Sequence, residues 1–407
     1  SGAMTCPSGL GESARLMARA VRRMGLPAWA VDLPSPLGAA GIGVAAEGDH
    51  PPQAAPLLLH VNAPTLPLAL LRLPRAVVRN RRRVGCWAWE LPTVPPEWRS
   101  AARLVHEIWV PSRFTAHALE PLMPGRVRVV PPALGLMPPV PAVLDRAAFG
   151  LQADAVVVLV SFNLASSFAR KNPLAAINAF RQAFGNRQDR VLILKVGHHD
   201  HAPADFARLL AEATAPNIRV MTQTLPDADR HALTSACDIV LSLHRSEGFG
   251  LVPAEAMLMG KPVVATAWSG NLEYMTEANS ALVRCRLIPA EDDRAVYRHG
   301  HWADPDIAEA AAWLRHLADN VDARRGMGHR AQETVRRALC GSALRSALRG
   351  LGLPVEVARR VGGRSIRSQP VPVMPRLQAM HAVESPIRAP TWHAPADAQV
   401  RQLEPLA

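Results

Sequence analysis

Lysine is almost missing from this 407-residue chain: Lys171, Lys195 and Lys261 are the only three, so all but three of the 46 basic residues are arginines. The five cysteines (Cys6, Cys86, Cys237, Cys285, Cys340) contain no C-x-x-C spacing. An odd, unpaired set argues against a disulfide framework and points to a reducing, cytoplasmic setting. Long hydrophobic runs are missing too. None reaches the roughly 18 apolar residues that span a bilayer, and Pro64, Pro67 and Pro74 interrupt the most apolar stretch, residues 57–73. The chain is expected to be soluble, or at most peripheral at the inner face of a membrane.

What is present is positive charge, a formal +12 with a pI near 10.7. Nucleic-acid binders cluster such charge on one face. Here the arginines are scattered and often sit beside alanine, which is a compositional preference, so no nucleic-acid partner is expected. Hydrophobic residues at 49% and charged residues at 20% indicate a globular chain, while the 37 prolines need loops or a tail. The length suggests two domains. The opening Ser1-Gly2-Ala3-Met4 reads as an appended or internally cut start.

Periodicity predicts a helix over Glu12–Met24, closed by Gly25, then strands over 28–33, 57–61, 84–89, 107–110 and 127–130, with a helix near 114–119. This is the alternation of a parallel sheet. Prolines 131, 132, 138, 139 and 141 then mark a linker, placing a domain boundary near residue 140. Beyond it, strands at 155–160, 191–196, 218–221, 239–243 and 263–266 alternate with helices at 173–184, 205–213, 227–235 and 253–259, and helices at 308–318 and 328–348 close the lobe. The fold class is therefore α/β, with two Rossmann-like doubly wound domains, 1–140 and 141–350, facing across a cleft. From 351 to 407 periodicity vanishes among Pro and Arg, and a disordered tail is expected.

Chemistry concentrates after the strand at 239–243. His244-Arg245-Ser246 leads into Glu247-Gly248-Phe249-Gly250-Leu251 and a helix expected to start at Pro253. A strand, a glycine turn and a helix start place unsatisfied amides at the carboxyl edge of a sheet, where phosphates bind. Gly248 and Gly250 let backbone approach a ligand, and Glu255 is expected on the helix's first turn, facing the same ligand as Glu247.

The run from Glu247-Gly-Phe-Gly-Leu through Glu255-Ala-Met, Gly260-Lys-Pro-Val-Val-Ala-Thr and Ser269-Gly-Asn to Glu273 resembles the signature of the retaining glycosyltransferases of GT-B architecture, specifically the GT4 group. Gly9-Leu-Gly-Glu-Ser-Ala-Arg15, Trp87-Ala-Trp-Glu-Leu-Pro92, Glu107-Ile-Trp-Val-Pro-Ser112, Arg170-Lys-Asn-Pro173 and Trp302-Ala-Asp-Pro305 are similar to a bacterial subset acting on surface polysaccharides. The resemblance implies transfer of a hexose from a nucleoside-diphosphate sugar to a glycan or lipid-linked acceptor. It implies that Glu255 holds the ribose, Glu247 the donor sugar, the amides of Phe249, Gly250 and Leu251 the sugar and diphosphate, and Lys171 the diphosphate. His244 is expected in a second layer with Asn271 and Glu273, and Gly11 in a glycine loop beneath the donor phosphate.

Many relatives carry an arginine several residues before the lysine, but residues 164–168 have none, and Arg170 is the substitute on offer. No D-x-D pair is positioned for Mg²⁺, and no cofactor is expected beyond the GDP- or UDP-linked donor, GDP-mannose being the first to test. His60 is either a catalytic contact on the acceptor side or a core histidine. Of Trp87 and Trp89, one is expected in the core and the other free to stack on sugar. Residues 72–83 form a basic segment read as a solvated face, with a lipid-linked acceptor as the alternative. The strand expected before Gly9 is absent or confined to the first seven residues. A non-catalytic sugar-nucleotide-binding protein is therefore the rival reading.

Overall fold

A strand buried on both faces reads as a continuous apolar run and must return to its sheet through a crossover on one side or the other. The computed structural model describes residues 1–4, 8–33, 44–45, 52, 54–292, 297 and 300–355, and the tail expected beyond them lies outside the described residues. The strands in chain order are β1 (Ala30–Val31), β2 (Val44–Ala45), β3 (Leu57–Leu59), β4 (Arg83–Cys86), β5 (Glu107–Val110), β6 (Val127–Val129), β7 (Val156–Asn163), β8 (Arg190–Gly197), β9 (Ile218–Met221), β10 (Ile239–Ser242), β11 (Val263–Thr266), β12 (Ala281–Val283), β13 (Cys285–Pro289) and β14 (His301–Pro305).

In the first lobe β3-β4-β5-β6 form a parallel sheet in that order. Ser1 and Gly2 extend it. The Ser1 amine donates to Leu58 O at 2.6 Å, and His60 N donates to Ser1 O at 2.8 Å. On the other side Leu33 N donates to Gly2 O at 2.9 Å and Gly2 N to Val31 O at 3.2 Å. The lane where a preceding strand is expected is thus occupied by these two residues. The first helix spans Gly9–Arg23 rather than starting at Glu12, because the Ser8 hydroxyl caps it, accepting from Gly11 N at 3.1 Å. Gly9-Leu10-Gly11, expected as a glycine loop, is therefore the first helical turn.

The second lobe's six strands are all parallel, in the order β9-β8-β7-β10-β11-β12. Counted from β7 this is the 3-2-1-4-5-6 order of dinucleotide-binding sheets, and its topological switch falls between β7 and β10. One face of that sheet packs on the helix Pro173–Phe184 through Ile177 and Phe180. The other packs on Leu251–Leu258 through Ala254 and Met257.

Two features were not predicted. An antiparallel hairpin, β13 with β14, follows the second sheet, and its Trp302 joins Trp87, Trp89, Trp98 and Tyr297 in the first lobe's core. The closing helix expected over 328–348 is two, Val321–Ala338 and Ser342–Gly350, broken where Gly341 turns left-handed at φ 80°. The last helix crosses back, packing Leu344, Ala347 and Leu348 on Ala20, Val84 and Trp109 of the first lobe. No helix among the described residues is long and apolar enough to cross a membrane.

Candidate active site

The switch between β7 and β10 brings together two loops distant in sequence. After β7, Ser167 caps the one-turn helix Phe168–Lys171, its hydroxyl accepting from Arg170 N at 3.1 Å. Asn172 then adopts a left-handed φ of 52°, which asparagine tolerates better than most residues, and its amide donates to Leu243 O at 3.0 Å. Arg245 N donates to Arg170 O at 2.8 Å, and Arg170 Nη1 donates to Ser246 O at 2.8 Å. The loop after β7 is in this way laced to the loop after β10. Arg170, offered by sequence as a phosphate ligand, is buried and committed to this lacing, with Nη2 on the Ser166 hydroxyl and its guanidinium 5.7 Å from the Tyr297 ring centre.

The lacing aims Lys171 at Glu247. The Lys171 ammonium donates to Glu247 Oε1, and Arg170 Nη1 stands 3.5 Å from Oε2. Glu247 is clamped through its backbone as well: its N–H donates to the Ser269 hydroxyl at 2.8 Å, and its carbonyl accepts from Gly270 N at 2.8 Å. Burial would raise this carboxyl, but Lys171 and Arg170 outweigh burial and hold it at about 2. Glu247 is an anion at any physiological pH. His244 lies beneath, fully buried, and burial lowers its imidazole. Asn271 Nδ2 donates to Thr266 O at 3.0 Å, so its Oδ1 is free to accept from His244 Nε2 at 3.1 Å. His244 Nδ1 then accepts from Ser242 Oγ at 3.0 Å, a pattern assigning the neutral Nε2–H tautomer.

The helix after the glycine turn spans Leu251–Leu258, two residues earlier than expected, because Gly250 at φ 85° redirects the chain. Pro253 is its third residue, still among the first four positions whose N–H lacks an intrahelical acceptor. Glu255 consequently sits on the second turn, not the first. Its Oε2 accepts from Arg230 Nη1 at 2.6 Å. Burial would raise this carboxyl too, but His231 and Arg230 hold it below its ordinary value. The Tyr274 hydroxyl donates to Gly250 O at 2.6 Å, and its ring lies 5.0 Å from that of Phe249. The amides of Phe249, Gly250 and Leu251 donate to nothing among the described residues. Lys171, Glu247, Gly250, Val252 and Pro253 line one pocket with Ser161.

The first lobe closes on this turn directly. The Ser112 hydroxyl donates to Gly248 O at 2.7 Å, and the Thr115 hydroxyl bridges Trp89 O at 3.0 Å and Gly248 O at 3.4 Å. Ser246 donates to Glu90 O, and the Tyr297 hydroxyl donates to Glu90 Oε2 at 2.9 Å. Glu273 accepts from Arg113 N at 2.8 Å across the same boundary. Trp89 is not free to stack on a sugar: it is 4% exposed, sits 4.9 Å from Trp98, and donates Nε1 to Thr93 O, so both tryptophans of the pair are core.

His60 is placed apart. It lines a different pocket, beneath the first helix with Leu10, Ser13 and Trp109. Burial lowers its imidazole to about 3, so the ring is neutral, and Nε2 has no partner among the described residues. Ser112, Thr115, Ser269, Tyr274 and Arg230 went unpredicted as site residues. Ser112 and Ser269 stood inside recognised motifs, but Tyr274 and Arg230 carried no sequence signal.

Lys195, near the carboxyl end of β8, is 8% exposed, and its ammonium has no hydrogen bond or ion pair among the described residues. Burial, then the nearby Arg230, pulls its ammonium down to about 8. The folded chain therefore binds fewer protons than the unfolded chain between about pH 8 and the ordinary lysine value of ~10.4, and stability rises with pH across that window. Lys195→Met is expected to stabilise the fold at pH 7 by about 1–3 kcal/mol and to flatten that rise. Urea unfolding at pH 7 and 10 checks both, and a variant less stable at pH 7 would refute the unpaired state of this lysine.

The family described as Glycosyl transferases group 1 matches residues 156–299. The second lobe carries a group 1 glycosyltransferase domain. Curated relatives of the chain include D-inositol 3-phosphate glycosyltransferase from Xylanimonas cellulosilytica, 28% identical over 194 residues, 44% of this chain and 42% of the relative. The alpha-1,3/1,6-mannosyltransferase alg2 of Schizosaccharomyces pombe is 28% identical over 218 residues, 46% and 42% of the two chains. The chain thus spans about two fifths of the length of the relatives it matches. Among solved structures, Anabaena Alr3699/HepE in complex with UDP and glucose superposes with a TM-score of 0.52 at 18% identity, covering 72% of this chain and 76% of that one. A glycosyltransferase from Rickettsia africae gives 0.52 at 12% identity, covering 85% and 81%. The fold is the two-lobed GT-B architecture, and the group 1 domain contributes the Lys171–Glu247 pair and the glycine turn.

Proposed function

We propose that the chain is a metal-independent retaining glycosyltransferase that moves a hexose from a nucleoside-diphosphate sugar to a hydroxyl of a glycan or lipid-linked acceptor, working in the cytoplasm or at the inner membrane face. The observation that carries this reading is the Lys171–Glu247 pair at the β7/β10 switch, beside the unengaged amides of Phe249, Gly250 and Leu251. A diphosphate entering this crevice competes with Glu247 for Lys171, and the carboxylate so released can accept from donor-sugar hydroxyls. Glu255 is held by Arg230 through Oε2, and its Oε1, 3.8 Å from His231 Nε2, is the oxygen offered to the ribose.

As the bond from the anomeric carbon to the diphosphate breaks, negative charge grows on the leaving oxygen. Lys171 and the helix-start amides stabilise it in place of a metal. The acceptor hydroxyl attacks from the same face, and its proton passes to the departing phosphate oxygen, so configuration is retained. His60 belongs to this scheme on the acceptor side only, since it lines a separate pocket. GDP-mannose is the first donor to test, in keeping with the relative named a mannosyltransferase. UDP-hexoses come next, as HepE was crystallised with UDP-glucose.

Saturation-transfer NMR of the full chain against GDP-mannose and UDP-hexoses, followed by donor turnover with and without EDTA, tests the proposal. One donor is expected to bind and to turn over equally in both conditions. Binding without turnover selects the non-catalytic reading, and binding of no donor overturns both.

A further inference from the structure

The amino ends of the first lobe's parallel strands lie opposite the edge that meets Gly248, and there a cavity of about 450 Å³ opens. Arg99 and Ala102 reach it from the helix Trp98–Ala102, Arg103 and Val105 from the approach to β5, and Leu122 and Arg126 from the approach to β6. No acidic residue lines it. Several arginines of this lobe are committed, Arg15 and Arg19 to Glu12, Arg83 to Leu104 O and Arg128 to Glu107, whereas the cavity holds three that are not. Arg99, Arg103 and Arg126 have no side-chain hydrogen bond or ion pair among the described residues. The nearby Glu120 carboxylate is taken by Gly125 N at 2.6 Å.

Three arginines lining one concavity with no acid among them make a positive patch, and their forked donors suit a phosphate's oxygens. Ala102, Val105 and the partly buried Leu122 supply the few apolar atoms of a lining that is otherwise polar, so the arginines set what the cavity binds. We propose that this cavity is an anion site for a phosphate-bearing ligand, separate from the donor crevice. A free phosphorylated molecule and a phospholipid headgroup share that chemistry.

The test uses the full chain in a Lys171→Ala background, which weakens phosphate binding in the cleft, with and without the triple change Arg99→Gln, Arg103→Gln, Arg126→Gln. Pyrophosphate is titrated by calorimetry, and vesicles of phosphatidylglycerol or phosphatidylcholine are assayed by flotation. All three side chains are exposed, so unchanged thermal unfolding without ligand is expected to show an intact fold. Loss of at least roughly tenfold in pyrophosphate affinity on the triple change identifies a free-phosphate site. Loss confined to phosphatidylglycerol vesicles identifies a headgroup site. Equal binding before and after the triple change, or no binding of either probe beforehand, overturns the proposal.

Discussion

Glu247→Gln is expected to lower donor turnover roughly 10²–10³-fold, the range seen when one preorganised polar contact to a reacting group is removed. The variant preserves shape but leaves Lys171 and Arg170 facing a neutral amide, so a stability loss of about 1–3 kcal/mol at pH 7 accompanies it. The sign of the pH dependence is fixed by the depressed carboxyl. Because the folded-state value is about 2 against an ordinary ~4.3, Glu247 contributes stability that is fully present above the ordinary value and is lost as pH falls towards 2. Urea unfolding of wild type and variant at pH 7, 5 and 3 should show a gap that narrows only at the last. A gap independent of pH would mean that the carboxylate is not the ionic partner of Lys171, and unchanged turnover would remove it from the donor site.

Gly270→Ala is expected to act on the same residue from behind. A Cβ built at Gly270 would lie 2.1 Å from Gly248 O and 2.7 Å from Glu247 O, both backbone atoms that cannot rotate away. Something must shift, and what shifts is the turn that carries Glu247. A destabilisation of at least ~3 kcal/mol is expected, which for a lobe of this size lowers the melting temperature by roughly 6–12 °C. Loss of donor binding should accompany it even in the fraction that remains folded. Calorimetry with donor-binding NMR at 15 °C separates the two effects, and a variant that melts normally and binds donor would show that the turn has slack absent from the structure.

Much of the second lobe was legible because its signals are local. The strands over 218–221 and 263–266 and the helix over 173–184 fall where periodicity placed them, and a continuous apolar, valine-rich run such as 156–160 has few other uses. Boundaries slipped where a cap or a glycine outweighed periodicity, at Ser8 and Gly250. The hairpin β13–β14 escaped notice because Cys285–Pro289 and His301–Pro305 carry little hydrophobic alternation, with Arg286, Asp304 and two prolines among them. The expectation that one of Trp87 and Trp89 faces a sugar failed for a related reason: alternation along a strand cannot show that both rings pack into one core with Trp98 and Trp302.

The site divides along the same line. A glycine turn before a helix, the acids at 247 and 255 and the few lysines can be read directly from the chain, and they marked the place of the site, while the chemistry expected there came from the resemblance of the whole motif to a known family. That Lys171 meets Glu247 across 76 positions, and Ser112 meets Gly248 across 136, follows from strand order and lobe docking. Those are set by the packing of whole faces, where no single residue carries the signal. Only the folded chain could therefore show that Arg170 is a brace, that His60 stands in a pocket of its own, and that Ser112 and Thr115 of the first lobe hold the glycine turn.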